Sequence, residues 1–341
     1  MEKREQSLDY IRIIATALIL LFHFFAVFQV NNSWSQVFAN GTWGYLGTSV
    51  FFIMSGYLLR SRHGEIPSVG TFYKKRWLSL FPPFYIAFIV AYLIYAIANK
   101  SIFFYGSPFS LIFSLLGIDC YVFTRFGITS YAIVGEWFTG VIIFLYLVFP
   151  LMNYLFKRTR IVFSLIILAV YVYMNSFQTA IFPDTSLTDA LFLFWMGMFV
   201  SECSGLLRKK KLYGVLPGVV CLLLLFLKIN FNYVYCTHLL AICLVTTLII
   251  LIPSEAPKNG LSKAVASLSG VSYCVYLVHH FILNNMKWRL EDWGIVLPIP
   301  VLLVLYLVIT MMGAFVLKFV TDFLVTKLSK KEKTGGSDEK N

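Results

Sequence analysis

The stretch LDYIRIIATALILLFH, residues 8–23, is an apolar run that carries three ionisable side chains, Asp9, Arg12 and His23. The apolar run continues to about residue 30. A hydrocarbon core about 30 Å thick is crossed by roughly 20 apolar residues in a helix, so the run is long enough to span a bilayer. Ionisable side chains in such a helix are costly and by default mark a functional site. The stretch therefore predicts a membrane-spanning helix with one functional side.

The whole chain shares this apolar character. Of its 341 residues, 59% are hydrophobic and 13% are charged, which lies far from the composition of soluble domains. The composition predicts an all-α integral membrane protein, with the lipid bilayer as a partner. The formal net charge of +12 comes from short basic clusters between apolar runs. We therefore expect no nucleic-acid partner, because no soluble basic domain could hold a duplex.

Ten segments are long enough to be membrane helices, and basic residues orient them. Most of the 28 Lys and Arg residues fall in alternate connections, as expected if those connections and both termini are cytoplasmic. The sequence thus predicts a multi-pass protein of the cell (plasma) membrane, with a membrane domain at 1–326 and a disordered cytoplasmic tail at 327–341. The predicted segments are about 10–30, 43–60, 79–98, 132–155, 161–176, 187–203, 212–229, 234–252, 266–286 and 298–325.

The connection at 99–131 is apolar but does not fit as an eleventh span. It contains SIFFYGSPFSLIFSLLG, residues 101–117. Counting it as a span would invert every later loop and remove the bias in basic residues. We expect a re-entrant or interfacial piece, whose irregular backbone is tolerated where protein or a watery cavity surrounds it.

Arg12 and His23 are predicted to share one side of the first helix. They are eleven residues apart, which brings them within about 20° of the same face with a rise of about 16 Å. His23 then lies too deep to reach the membrane surface and needs a partner or a cavity. By the same height argument Glu136, His279 and His280 could share that cavity. The alternatives are a helix-capping role for Glu136 and ordinary hydrogen bonds within the bundle for the three histidines.

The remaining polar residues allow two interpretations each. Arg12 has a structural interpretation, in which it pairs with Asp9 or extends to the membrane surface, and a functional one, in which it binds an anion. The basic residues of FYKKRW, residues 72–77, either anchor the helix at the cytoplasmic surface or bind phosphates. With a deep histidine as general base, such groups suit an anionic donor and a hydroxyl acceptor that arrive from opposite sides. Neither a nucleophile elbow, a Walker loop nor an H-E-x-x-H motif is present.

An ordered set of motifs resembles the acyltransferase family 3 of integral membrane O-acyltransferases, over residues 8 to about 285. The set comprises the Arg12-x10-His23 spacing, FFIMSGYLL at 51–59, YKKRWLSLFPPFY at 73–85, WFTGVIIFLYLVFP at 137–150, FWMGMF at 194–199 and SYCVYLVHH at 272–280. Each motif alone is weak, and their order makes the resemblance specific.

The resemblance implies ten membrane helices and an acyl-CoA donor, usually acetyl-CoA, on the cytoplasmic side. It implies acylation of a glycan or another hydroxyl acceptor of the envelope, with Arg12 and His23 essential and with Lys75 and Arg76 binding the donor. Ser79 departs from the family pattern, in which many members have a second arginine. The chain shows no SGNH-type domain after its last helix, so transfer is expected to finish on the membrane domain or on an envelope-assembly partner.

These arguments give a set of candidate site residues. No bound cofactor and no metal site are predicted. A transporter or flippase of a lipid-linked sugar or other anion is the main alternative function, and a catalytically inactive scaffold is another. The predicted catalytic residues are His23, Arg12 and Glu136; the donor-binding residues are Lys75, Arg76 and Arg12; the supporting residues are Asp9, Ser55, Trp137, Tyr273, Tyr276, His279 and His280.

Overall fold

Helices form almost all of the regular structure. The computed structural model describes residues 4–30, 34–134, 136–177, 186–255, 257 and 259–335, without the side chains of Cys120, Thr124, Arg125, Glu136, Ser186 and 328–335. Its helices are α1 (Gln6–Val27), α2 (Trp43–Arg62), α3 (Val69–Ala98), α4 (Leu111–Leu116), α5 (Asp119–Phe126), α6 (Glu136–Arg158), α7 (Arg160–Ser176), α8 (Ser186–Leu207), α9 (Leu212–Phe226), α10 (Tyr233–Leu251), α11 (Gly260–Asp292) and α12 (Ile299–Gly335). Strands β1 (Val37–Phe38) and β2 (Gly41–Thr42) form a small antiparallel hairpin, with Val37 opposite Thr42.

Seven of these helices are long and apolar enough to cross a membrane, namely α1, α3, α6, α8, α10, α11 and α12. The protein is therefore an all-α, multi-pass membrane protein, as predicted. The other three predicted spans coincide with α7 and α9, which are shorter apolar helices, and with the 20-residue α2. The count of ten spans and the cytoplasmic position of the termini stay predictions.

The chain divides into two compact units. Unit 1 comprises Met1–Pro67 and Phe138–Ser272, and unit 2 comprises Ser68–Trp137 and Tyr273–Asn341. In unit 1, α2 packs against α1, α8 and α10, while α9 packs against α10. In unit 2, α3 packs against α12.

The crossing of α2 and α8 is unusually close because each helix places a glycine there. A Cβ atom on Gly56 would lie 1.9 Å from the carbonyl oxygen of Phe194, and a Cβ atom on Gly197 would lie 1.9 Å from that of Ile53. The two backbones are therefore in direct contact. Small residues let membrane helices approach in this way.

Polar groups of unit 1 collect at the two ends of its helix bundle. At one end Arg60 of α2 donates to Glu202 of α8 at 2.8 Å and to Asn153 of α6 at 2.7 Å. At the other end the Tyr45 hydroxyl donates to Asp189 at 2.7 Å. Between these ends the buried residues are mostly apolar, as expected where a hydrocarbon layer surrounds the bundle.

The last helix is longer than the sequence predicts. α12 continues to Gly335, into the segment expected to be a disordered tail from residue 327. Lys and Glu residues between 327 and 333 favour helix. The rest of the predicted tail, residues 336–341, lies outside the described residues.

Candidate active site

A cavity of about 350 Å³ opens beside the start of α1 in unit 1. Residues before and within the first turns of α1 form one wall, the end of α2 forms another, and the first half of α11 completes it. Three guanidinium groups against two carboxylates give the lining a net positive charge. The lining residues are Arg4, Glu5, Leu8, Asp9, Arg12, Leu58, Arg62 and Gly270.

Both carboxylates of the cavity have a cationic partner. Asp9 accepts two hydrogen bonds from Arg4, from Nε to Oδ2 at 2.7 Å and from Nη2 to Oδ1 at 2.9 Å. These bonds raise the pKa of Arg4 above its ordinary value, so the guanidinium stays charged. Glu5 pairs with Arg208 of the α8–α9 connection and accepts a bond from the Tyr57 hydroxyl at 3.1 Å. The negative charges of the lining are thus largely compensated by Arg4 and Arg208.

Arg12 is held mainly by a serine from the distant helix α11. Its Nη1 donates to Ser269 Oγ at 2.8 Å, and the same hydroxyl donates to Asp9 Oδ1 at 2.7 Å. The direct distance from Arg12 Nη1 to Asp9 Oδ1 is 3.8 Å, longer than a hydrogen bond. Asp9 therefore orients Arg12 through Ser269, which is 1% exposed.

His23 lies further along the same helix. The side of α1 that is fully buried in unit 1 carries Ile11, Ala15 and Ile19, and Arg12 and His23 lie at its border with intermediate exposure. The helical rise separates them by about 16 Å along the axis. His23 is not among the residues that line the cavity. Ser55, near the middle of α2, also has intermediate exposure.

The predicted donor-binding residues of α3 belong to unit 2. Lys75 is exposed, and Arg76 is half-buried with its guanidinium carbon 5.8 Å from the centre of the Phe72 ring. Ser79, where the family pattern often has arginine, donates its hydroxyl to the main-chain oxygen of Arg76 at 2.9 Å. The α3 residues thus present two cationic side chains on the first turns of the helix.

The second half of α11, also in unit 2, fixes the protonation pattern of one histidine. His279 is 1% exposed, and its Nδ1 lies 2.6 Å from the main-chain oxygen of Tyr276. A carbonyl oxygen only accepts, so Nδ1 of His279 carries a proton. The ring of His280 is 4.4 Å from that of His279, centre to centre. Tyr273 donates to the main-chain oxygen of Leu80 at 3.2 Å.

Two predicted site residues lie at the start of α6. Trp137, in unit 2, has intermediate exposure. The side chain of Glu136 lies outside the described residues, so its catalytic role stays a prediction.

Sequence reasoning missed part of the cavity. The sequence does not single out Ser269, Arg4 or Arg62 as site residues. A serine three residues before the SYCVYLVHH motif gives no local signal. Only the packing of α11 against α1 reveals its role.

Comparison with known families gives one match. The model of a family described as acyltransferase domain matches residues 5–319. The search of curated proteins and the search of solved structures returned no match. The matched region begins just before α1, includes α1 to α11 in full and ends near the middle of α12.

Proposed function

The chain belongs to acyltransferase family 3, and from this membership we propose that it transfers an acyl group, specifically acetyl, from acyl-CoA to a hydroxyl of a cell-envelope or extracellular glycan. The coarser activity, that of a membrane acyltransferase, follows from the family and from the apolar helices. The observation that carries the finer proposal is the arginine-lined cavity at the start of α1, with His23 on the same side of that helix.

The cavity supports binding of a phosphorylated donor. Guanidinium groups bind phosphate oxygens through paired N–H donors, and Arg12 and Arg62 both line the space. A volume of about 350 Å³ is small for a whole acyl-CoA, so the cavity takes the phosphates while the remaining nucleotide extends beyond it. Lys75 and Arg76 of α3 stay predicted donor-binding residues on the family resemblance alone.

The reaction then needs a base near the thioester. The extended pantetheine arm of the donor spans the distance along α1 between Arg12 and His23. The neutral imidazole of His23 takes the proton of the acceptor hydroxyl, whose oxygen attacks the thioester carbon. The carbon–sulfur bond breaks, and the CoA thiolate leaves and takes the proton from the imidazolium. A catalytic role for Glu136 stays a prediction from the sequence.

The two substrates approach from opposite membrane sides in this proposal. The donor enters from the cytoplasm at the Arg12 end of α1, and the acceptor enters from the external side of the plasma membrane. His23 lies between the two entrances. This arrangement supports modification of an external molecule with a cytoplasmic donor without transport of the donor across the bilayer.

The test is transfer by the purified protein in lipid nanodiscs, measured as release of CoA thiol from acetyl-CoA in the presence of acceptor. The His23→Ala variant is expected to lose at least about a hundredfold in rate, since it lacks the general base. The Arg12→Ala variant is expected to raise the KM for acetyl-CoA. Arg158→Ala removes an exposed guanidinium that does not line the cavity, and it is the matched control.

Cells provide the second measurement. The acetyl content of the surface glycan should fall to background when His23→Ala replaces the natural chain, while the variant remains folded and inserted. Full acetylation in that strain would contradict the proposal. A wild-type protein that moves a lipid-linked sugar across vesicles and releases no CoA would favour the transporter instead.

A further inference from the structure

The connection between α3 and α6 buries a small cluster of polar side chains, Ser110, Ser114 and Asp119, and exposes many apolar ones. It contains a 3-10 turn at Pro108–Ser110, followed by α4 and α5, and we call residues 101–131 the interhelical segment. From residue 101 to residue 124 only Asp119 is charged. This composition alone distinguishes the segment from an ordinary surface loop.

The polar groups of the segment bond to one another in its interior. Ser114 is fully buried, donates to Asp119 Oδ1 at 2.6 Å and accepts from the main-chain nitrogen of Tyr131 at 2.9 Å. The Tyr131 hydroxyl donates to the main-chain oxygen of Gly106 at 2.7 Å. Burial raises the pKa of the Asp119 carboxyl, the direction expected for a group held away from water.

The apolar side chains point away from this interior. Phe109 is 78% exposed, and Ile112 and Leu116 follow at spacings of three and four residues on the same exposed face. Phe123 and Phe126 of α5 are exposed as well. Monomeric soluble proteins rarely present so many neighbouring large apolar side chains to water. The outer surface of the segment therefore suits an apolar surrounding.

The exposed surface continues that of a membrane helix. Leu93 and Ile97 of α3 are exposed near its end, and Ile102 of the segment is exposed five residues later. The Tyr92 hydroxyl donates to the main-chain oxygen of Ile102 at 2.6 Å, which ties the segment to α3. Because α3 is apolar enough to cross a bilayer, its exposed side contacts lipid. The exposed apolar surface of α3 therefore continues onto the segment.

We propose that the interhelical segment lies in the interfacial layer of the leaflet where α3 ends, with Phe109, Ile112 and Leu116 among the acyl chains of bilayer phospholipids. Helices α4 and α5 are too short to span the membrane, so they lie within one leaflet. A protein partner is less well suited, because protein interfaces have a polar rim, whereas the one charged side chain that the structure describes in this segment, Asp119, is buried. The proposal is independent of the proposed function.

Photo-cross-linking in nanodiscs of phosphatidylethanolamine and phosphatidylglycerol tests the proposal. p-Benzoylphenylalanine is placed at Phe109 in one variant and at Ile112 in a second, so that failure of one to fold leaves the other. Lys209, an exposed residue of the α8–α9 connection, is the control position. After irradiation, intact-protein mass spectrometry should show a mass increase equal to one phospholipid at positions 109 and 112 and none at 209.

Two results would overturn the proposal. Folded variants at 109 and 112 that form no more phospholipid adduct than the control at 209 would place these side chains in water. Irradiation of whole cells that gives a protein adduct instead of a lipid adduct would assign the surface to a partner. Either result leaves the transferase assay on His23 unaffected, so the two proposals fail separately.

Discussion

At the residue scale, the main result is how Arg12 is held. Its spacing from Asp9 suggests a direct pair, but Asp9 is occupied by two bonds from Arg4 and one from Ser269. The hydroxyl of Ser269 then receives Arg12. Asp9 forms an ion pair with Arg12 at 3.8 Å but no hydrogen bond, so it compensates the guanidinium charge less than a hydrogen-bonded pair would and leaves Arg12 better able to attract a phosphate.

Removal of the Ser269 hydroxyl should therefore weaken donor binding. The Ser269→Ala variant loses both hydrogen bonds to charged groups, each worth about 1.5–3 kcal/mol, so we expect a rise in the KM for acetyl-CoA of about tenfold or more. The kcat should change less, because the hydroxyl is expected to touch neither reacting atom. Initial rates of CoA release over a range of donor concentrations give both constants.

Two further variants show whether a change in KM in Ser269→Ala comes from loss of this hydroxyl. Ser269→Thr keeps the hydroxyl and should restore most of the affinity for donor. Ser49→Ala removes an equally buried serine whose hydroxyl bonds to Tyr45 at the other end of unit 1, and it should leave the KM unchanged. An unchanged KM in Ser269→Ala would mean that the hydroxyl does not position Arg12.

At the scale of the helices, unit 1 depends on the α2–α8 crossing. Gly56 and Gly197 let the two backbones meet, and membrane helices associate through such close packing because lipid supplies no hydrophobic force between them. The same α2 helix ends at the cavity, which Leu58 and Arg62 line. The crossing therefore also fixes where one wall of the candidate site lies.

A methyl group at this crossing should separate the helices. Gly197→Ala is expected to lower stability by about 1–3 kcal/mol, since the new carbon would overlap the carbonyl oxygen of Ile53. Gly205→Ala on the same helix has no neighbour within 4 Å and is the matched control. Thermal unfolding in detergent should show a lower Tm for Gly197→Ala alone, and equal Tm values for the two variants would contradict the close crossing.

At the scale of the whole molecule, the distribution of charge predicts the orientation in the membrane. The cavity, the Arg60–Glu202 pair and the basic residues 208–211 all belong to one end of the helices of unit 1. The positive-inside rule predicts that this end is cytoplasmic. The proposed entry of the donor depends on this assignment.

Thiol labelling can measure the orientation directly. In a Cys203→Ala background, which removes an exposed thiol, Lys209→Cys should react with a membrane-impermeant maleimide only after the membrane is permeabilised. Lys228→Cys, in the α9–α10 connection, should react in intact cells. The reverse pattern would place the arginine-lined cavity outside the cell and would exclude a cytoplasmic donor at that site.

The sequence by itself determined the class of protein, the position of its long helices and the side of α1 that carries Arg12 and His23. These properties follow from local rules, because a helix has a fixed rise and turn and a bilayer has a fixed thickness. The family motifs also lie in the sequence. The sequence also predicts a re-entrant or interfacial position for residues 99–131. It does not predict the buried polar groups inside that segment.

Only the tertiary structure decided which residues surround Arg12. Ser269 is 257 positions away in sequence, and Arg62 reaches the cavity from the end of another helix. Likewise, Gly56 meets the main chain of Phe194 only where two helices cross. Such contacts depend on how side chains pack between helices. The periodicity of a sequence specifies the faces of each helix but not which helices meet. Helix packing is therefore the step that the sequence did not predict. It is helix packing that makes Ser269, and not Asp9, the hydrogen-bond partner of Arg12.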